Sequence, residues 1–128
     1  MSAKVVAQRY ELREILGEGG MGVVYRAMDT RTNCLVAIKT LKNASDPETL
    51  AMFGKEWREL AQITHPNIVG VRDVGDFKEN GETIPFFVMP LLQGCTLAAL
   101  IHESSPRLTV ENVVEIICQV CRGLNAAH

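Results

Sequence analysis

Leu16-Gly17-Glu18-Gly19-Gly20-Met21-Gly22-Val23-Val24-Tyr25 is followed, one polar turn later, by Val36-Ala37-Ile38-Lys39. The first segment is a glycine loop flanked by strand-like sequence, and the second puts a lysine on the next strand. Glycine admits positive φ and carries no Cβ, so N–H groups in such a loop can face phosphate oxygens at close range. Lys39 supplies a fixed positive charge. A G-x-G-x-x-G string also serves dinucleotide folds, where the third glycine opens a helix whose N-terminus receives a pyrophosphate. Here Val23-Val24-Tyr25-Arg26-Ala27 reads as a strand, and no Gly-Lys-Ser/Thr follows to make a Walker-type loop. What remains is a glycine-rich hairpin.

Outward from this hairpin, residues 10–16 and 23–28 are strand-prone, 29–33 form a polar turn, and 35–41 make a third strand carrying Lys39 near its end. Asp46-Pro47-Glu48 starts a helix: Asp46 can cap, Pro47 suits the first helical position, and Glu48 favours the dipole. Leu50, Phe53, Trp57, Leu60 and Ala61 then share one arc, with Lys55, Arg58 and Glu59 opposite. Glu56 falls on the border, where a half-buried carboxylate needs a cation. Lys39 is the candidate. His65-Pro66 is expected to end the helix, because the residue before proline is pushed out of the α region.

Residues 68–77 and 83–89 flank the turn Glu79-Asn80-Gly81, giving five strands with one helix after the third. Pro90 and Gly94 then interrupt regularity. A short helix over 96–102, a Ser-Ser-Pro loop and a long helix over 110–127, capped by Thr109, complete the chain. In the long helix, Val110, Val113, Val114, Ile116, Ile117, Val120, Cys121, Leu124 and Ala127 spread over a wider arc than one sheet covers. That helix calls for neighbours on several sides.

With 128 residues, 47% of them hydrophobic, the chain can bury one modest core. Thirteen basic against fifteen acidic residues, with no basic cluster, argue against nucleic acid as a partner. The longest apolar candidate, 84–92, is broken by Pro85 and Pro90 and is too short to span a membrane. The start lacks the apolar stretch of a signal peptide, so a cytoplasmic location is expected. Of Cys34, Cys95, Cys118 and Cys121 only the last two form a C-x-x-C pair, inside an apolar helical pattern and with no second pair to complete a zinc site, so all four are expected to pack in the core, leaving no metal ligands.

The combination Gly17-x-Gly19-x-x-Gly22-x-Val24, Val36-Ala37-Ile38-Lys39, Glu56 and His65-Pro66-Asn67-Ile68-Val69 resembles the protein kinase family over essentially the whole chain. The Gly-Gly-Met-Gly tip and its Val-Tyr-Arg-Ala-Met-Asp continuation are most similar to bacterial-type serine/threonine kinases. The resemblance implies an α+β fold. Residues 1–89 would be the N-terminal lobe, a five-stranded antiparallel sheet with one helix after strand three; 90–94 would be the hinge, and 95–128 the first two helices of a truncated C-terminal lobe.

It also implies ATP as the ligand. The loop of Leu16, Gly17, Glu18, Gly19, Gly20, Met21 and Gly22 would cover the phosphates, and Lys39 would hold the α and β phosphates while pairing with Glu56. Val24 and Ala37 would sandwich the adenine, and Met89 would be the gatekeeper. The Pro90 carbonyl and the Leu92 backbone would meet the adenine edge, with proline replacing a residue that is often acidic there. In the family a catalytic loop with its aspartate base follows the helix that Leu124-Asn125-Ala126-Ala127-His128 closes, and an Asp-Phe-Gly metal site comes later.

Mg2+ is expected for the complete enzyme, its ligands lying outside residues 1–128. A polypeptide of these residues alone is expected to show no kinase turnover, although the complete enzyme would phosphorylate protein serine or threonine in signal transduction. The reading from another class is a non-catalytic, kinase-like binding or dimerisation module. With an apolar helix over 109–128 left uncovered, self-association is the expected consequence.

Overall fold

A computed structural model of the chain describes residues 3–103 and 108–128; the Ser-Ser-Pro loop lies outside the described residues. The elements run β1 (Val5–Val6), β2 (Tyr10–Glu18), β3 (Gly22–Asp29), β4 (Cys34–Leu41), α1 (Pro47–Ala61), β5 (Asp73–Glu79), β6 (Glu82–Pro90), α2 (Leu97–His102) and α3 (Val110–Ala127). The strands form one sheet of order β1-β2-β3-β4-β6-β5, antiparallel at every pairing. The helix stands after the three long strands at the centre of the sheet, as expected, but the sheet has six strands rather than five.

The additional strand is β1, only two residues long, paired Val5↔Glu11 and Val6↔Tyr10. Its turn uses Ala7 and Gln8 at φ of 51° and 54°, a backbone region that non-glycine residues rarely occupy, so no Gly or Asn marks it in the sequence. α1 ends at Ala61, short of His65-Pro66. The Gln62 and Ile63 N–H groups turn back to the Glu59 and Leu60 carbonyls at 3.3 Å, and this tightening closes the helix before the proline acts. β5 likewise begins at Asp73 rather than at residue 68, because Ile68 N–H bonds the His65 carbonyl at 3.1 Å and holds this stretch in a turn.

Consecutive residues of a strand point to opposite faces, and Phe86 and Phe87, both buried, divide the sheet accordingly. Phe86 joins Val6, Tyr10, Leu12, Ala27, Val36, Ile38 and Val88 on one face. Phe87 joins Leu41 and the fully buried Phe53 of α1 on the other, with Trp57 and Leu60 packed alongside. Leu50 and Ala61, placed on the helix's inner arc by periodicity, are exposed.

Polar side chains tie β2 to β5 on the Phe86 side. The Tyr10 hydroxyl donates to Asp73 Oδ2 at 2.7 Å, and Arg9 donates to both Asp29 oxygens at 2.8 Å. The Arg9 guanidinium holds the almost fully buried Asp29 carboxyl well below the usual range, while burial and the bond to Asp73 push the Tyr10 hydroxyl up. Lys4 and Glu79 form a further ion pair at the rim.

α3 starts with a capping box, the Thr109 side chain accepting from the Asn112 N–H and Asn112 from the Thr109 N–H. It meets the loop after α1 at Gly123, where an added Cβ would lie 3.0 Å from the Asn67 carbonyl, and at Gln119, which accepts from Asn67 Nδ2 at 3.2 Å. Val110, Val113, Val114, Ile117, Val120 and Leu124 are exposed. All four cysteines are free and exposed, contrary to the expectation of core packing; Cys118 and Cys121 lie on this helix, whose apolar arc the described residues leave largely uncovered. Among the described residues no helix is long and apolar enough to cross a membrane.

The depressed Asp29 pKa fixes the sign of an acid response. Its contribution is fully present above its unfolded pKa of about 3.9 and is lost as pH falls through the lower folded value. Asp29→Asn should therefore lower the melting temperature at neutral pH, with the gap to wild type closing below about pH 4. Melting curves over that range test it, and a pH-independent gap would contradict the Arg9 assignment.

Candidate functional site

Strand register assembles the site. Gly17 on β2 is opposite Val24 on β3, Val24 opposite Lys39 on β4, and Lys39 opposite Phe87 on β6. One step along the same face, Ala37 is opposite Met89. Because positions two apart share a face, Val24, Ala37, Lys39, Phe87 and Met89 form a continuous surface, the one on which α1 packs. Residues from four strands are gathered by hydrogen-bonded pairing.

The Lys39 ammonium donates to Glu56 Oε1 at 2.7 Å, with the two side chains 22% and 31% exposed, and lies 5.9 Å from the centre of the Phe87 ring. Phe53 sets the position of Glu56: one helical turn earlier, its ring packs 5.2 Å from that of Phe87 at a tilt of 40° and turns the carboxylate toward β4. Glu56 Oε2 is buried without a hydrogen-bond partner among the described residues. Glu56 also borders an open cleft of about 660 Å3 between α1 and the end of α3, lined by Met52, Leu60, Ile63 and Ala127 among others.

The loop glycines serve a purpose different from the one their composition suggests. Positive φ among glycines occurs at Gly81 and Gly94, and none of Gly17, Gly19, Gly20 or Gly22 has it. Around Gly17, Gly19 and Gly20 an added Cβ would meet nothing within 4 Å, leaving their backbone open to a ligand. At Gly22 a Cβ would sit 2.4 Å from the Thr40 carbonyl oxygen, so this glycine permits close contact between β3 and β4. The tip is compact: Gly19 N–H donates to the Gly22 carbonyl at 2.9 Å, Lys42 N–H donates to the Met21 carbonyl at 3.0 Å, and Met21 packs against the Phe53–Phe87 cluster.

Leu16 and Leu92 are exposed, and Met89 and Pro90 are half-buried. Pro90 does not break regularity. It is the last residue of β6, opposite Val36, beyond the point where β5 pairs, so its missing N–H removes no bond to β5. Its carbonyl remains an acceptor. Gly94, at φ +140°, lies in the irregular stretch between β6 and α2.

The open glycine backbone, the paired ammonium and the apolar Val24–Ala37–Met89 surface fit a ligand with an anionic end and a flat apolar end, as ATP has. No three His, Cys, Asp or Glu side chains converge to hold a metal among the described residues. Sequence reasoning missed the aromatic floor of Phe87 beneath Lys39 and the contact of Lys42 with the loop. Phe87 was legible only as one of two adjacent phenylalanines, and choosing between faces requires the register.

The protein kinase domain family matches residues 10–128. Serine/threonine-protein kinase PknB of Mycobacterium tuberculosis is 38% identical over 125 residues, covering 96% of this chain and 20% of that protein. A probable serine/threonine-protein kinase of Streptomyces coelicolor, SCO3848, is 40% identical over 122 residues, covering 94% and 18%. The chain thus spans about a fifth of the length of such relatives. Among solved structures, the kinase domain of M. tuberculosis PknI superposes with a TM-score of 0.75 at 28% identity, covering 100% of this chain and 51% of that one.

The glycine geometry separates folding from ligand access. Gly22→Ala should lower the melting temperature of the ligand-free protein through its clash with the Thr40 carbonyl, whereas Gly20→Ala should change stability by no more than about 0.5 kcal/mol. Equal melting temperatures for the two variants would contradict this assignment.

Proposed function

The chain belongs to the protein kinase domain family, and on that premise we propose that residues 1–128 form the ATP-binding part of a serine/threonine protein kinase. In this reading residues 1–89 are the N-terminal lobe, 90–94 the hinge and 95–128 the beginning of the C-terminal lobe. Lys39 offers its ammonium to the α and β phosphates, and Glu56 holds that ammonium in place. The loop backbone at Gly17, Gly19 and Gly20 covers the phosphates, with Leu16, Glu18, Met21 and Gly22 shaping the loop.

Val24 and Ala37 enclose the adenine, Met89 limits the depth of its pocket, and the Pro90 carbonyl and Leu92 backbone take its polar edge. Transfer of the γ-phosphoryl group to a protein serine or threonine further requires a base and Mg2+ ligands of the kind that the family's catalytic and Asp-Phe-Gly loops supply. The role of residues 1–128 is therefore to bind and orient the nucleotide. Four exposed free thiols support a reducing, cytoplasmic setting, and a place in signal transduction is part of the same proposal.

The observation that carries this reading is the Lys39–Glu56 pair at 2.7 Å below a glycine loop with open backbone. ATP that binds the folded state alone must raise the melting temperature, by about 2.7 kcal/mol of stabilisation at a hundredfold excess over Kd. Lys39→Met should shrink that shift, measured against the variant's own ligand-free melting temperature. A full ATP shift in Lys39→Met would remove the role given to Lys39, and no shift in the wild type would remove the proposal.

We further propose that a polypeptide limited to these 128 residues self-associates through α3, whose Val110, Val114 and Leu124 are 76%, 55% and 56% exposed. Light scattering at high micromolar concentration should give more than the monomer mass. A stable monomer with α3 folded would overturn it.

A further inference from the structure

Lys42 lies just beyond β4 and is held to both limbs of the glycine loop. Its N–H donates to the Met21 carbonyl at 3.0 Å on the descending limb, and its Nζ lies 2.8 Å from Glu18 Oε1 at the end of the ascending one. The ion pair therefore crosses over β3, which runs between β2 and β4. Glu18 is opposite Val23, and Val23 opposite Thr40, on the face away from Val24 and Lys39. The contact fastens the loop from outside, leaving the face with Lys39 free.

Most exposed pairs stabilise little, because solvent screens them and two long side chains lose freedom. Lys55–Glu59, at 3.8 Å on one helix, is of that kind. Lys42–Glu18 differs in what it joins, for the loop between its partners has open space at Gly19 and Gly20. With few packing contacts fixing those residues, even a modest tie alters where the loop sits.

We propose that Lys42 is a positioning residue for the bound triphosphate. Through Glu18 and the Met21 carbonyl it fixes the height of the glycine loop above Lys39, three residues earlier in the chain. The inference rests on the ATP reading above for its consequence, though the tie itself is a property of the ligand-free protein. Lys42 touches no substrate in this account; it acts through the loop.

The test uses the full chain, with ATP and adenosine as ligands and, as the ligand-free readout, amide hydrogen exchange at Gly19, whose N–H bonds the Gly22 carbonyl at 2.9 Å across the loop tip. Lys42→Ala should weaken ATP binding about two- to fivefold, leave adenosine affinity unchanged and speed exchange at the loop tip. Lys42→Arg should retain wild-type behaviour, and the charge exchange Glu18→Lys with Lys42→Glu should restore most of the loss.

Glu18→Gln separates positioning from simple attraction. Removing a negative charge near the phosphates would tighten ATP binding if only long-range charge mattered, whereas loss of the tie weakens it. Tighter ATP binding in Glu18→Gln, equal losses for ATP and adenosine in Lys42→Ala, or unchanged exchange at the loop tip would each overturn the proposal. If wild-type protein binds no ATP, the nucleotide reading fails and the exchange data alone decide whether Lys42 restrains the loop.

Discussion

The ion pair between Lys39 and Glu56 is the constraint on which the arrangement of the site depends. An ammonium or carboxylate that is two-thirds or more withdrawn from water is costly to leave alone, since removing one partner leaves the other's desolvation uncompensated. Both side chains are withdrawn to that degree. Satisfying them requires β4 in its observed register and α1 in its observed rotation, and the two requirements meet at Phe53 and Phe87. Aromatic packing brings the helix to the sheet, and the charges select its angle.

The sheet's other face has a different task. There Tyr10, Phe86, Ile38 and Val36 pack without a covering helix among the described residues, and Tyr10, Arg9 and Asp29 fasten β2 across to Asp73. Hydrophobic burial of these residues, at roughly 25 cal/mol per Å2, supplies stabilisation that needs no ligand. The result is a packed back and an open front. Strand pairing holds Gly17, Val24 and Lys39 in a row across three strands and leaves Gly17, Gly19 and Gly20 unobstructed.

Much of this was legible in the sequence, for identifiable reasons. Long strands, the Asp46 cap with Pro47, and the Thr109 cap of α3 are set by local chemistry, which a sequence displays directly. The pairing of Lys39 with Glu56 followed from a border carboxylate needing a cation and from family resemblance. What escaped depends on tertiary detail. β1 is two residues held by a turn at Ala7 and Gln8 whose strain no residue type announces. The end of α1 was set by backbone bonds at Gln62 and Ile63 rather than by proline. The cysteines were expected inside because their helix is apolar, but helical periodicity does not say which neighbours are present to cover it.

The glycine loop shows how one residue type can serve opposite physical ends within a single motif. Gly22 is demanded from within, by a carbonyl that leaves no room for a methyl group, and thus belongs to the packing of β3 on β4. Gly17, Gly19 and Gly20 meet no such obstacle, so their lack of side chains reserves space on the outer side of the backbone. A motif read as uniform therefore divides into a structural anchor and an unobstructed stretch. The anchor is paired to β4, the strand that carries Lys39. The position of the loop relative to the Lys39 strand is thus set by backbone pairing in the ligand-free protein.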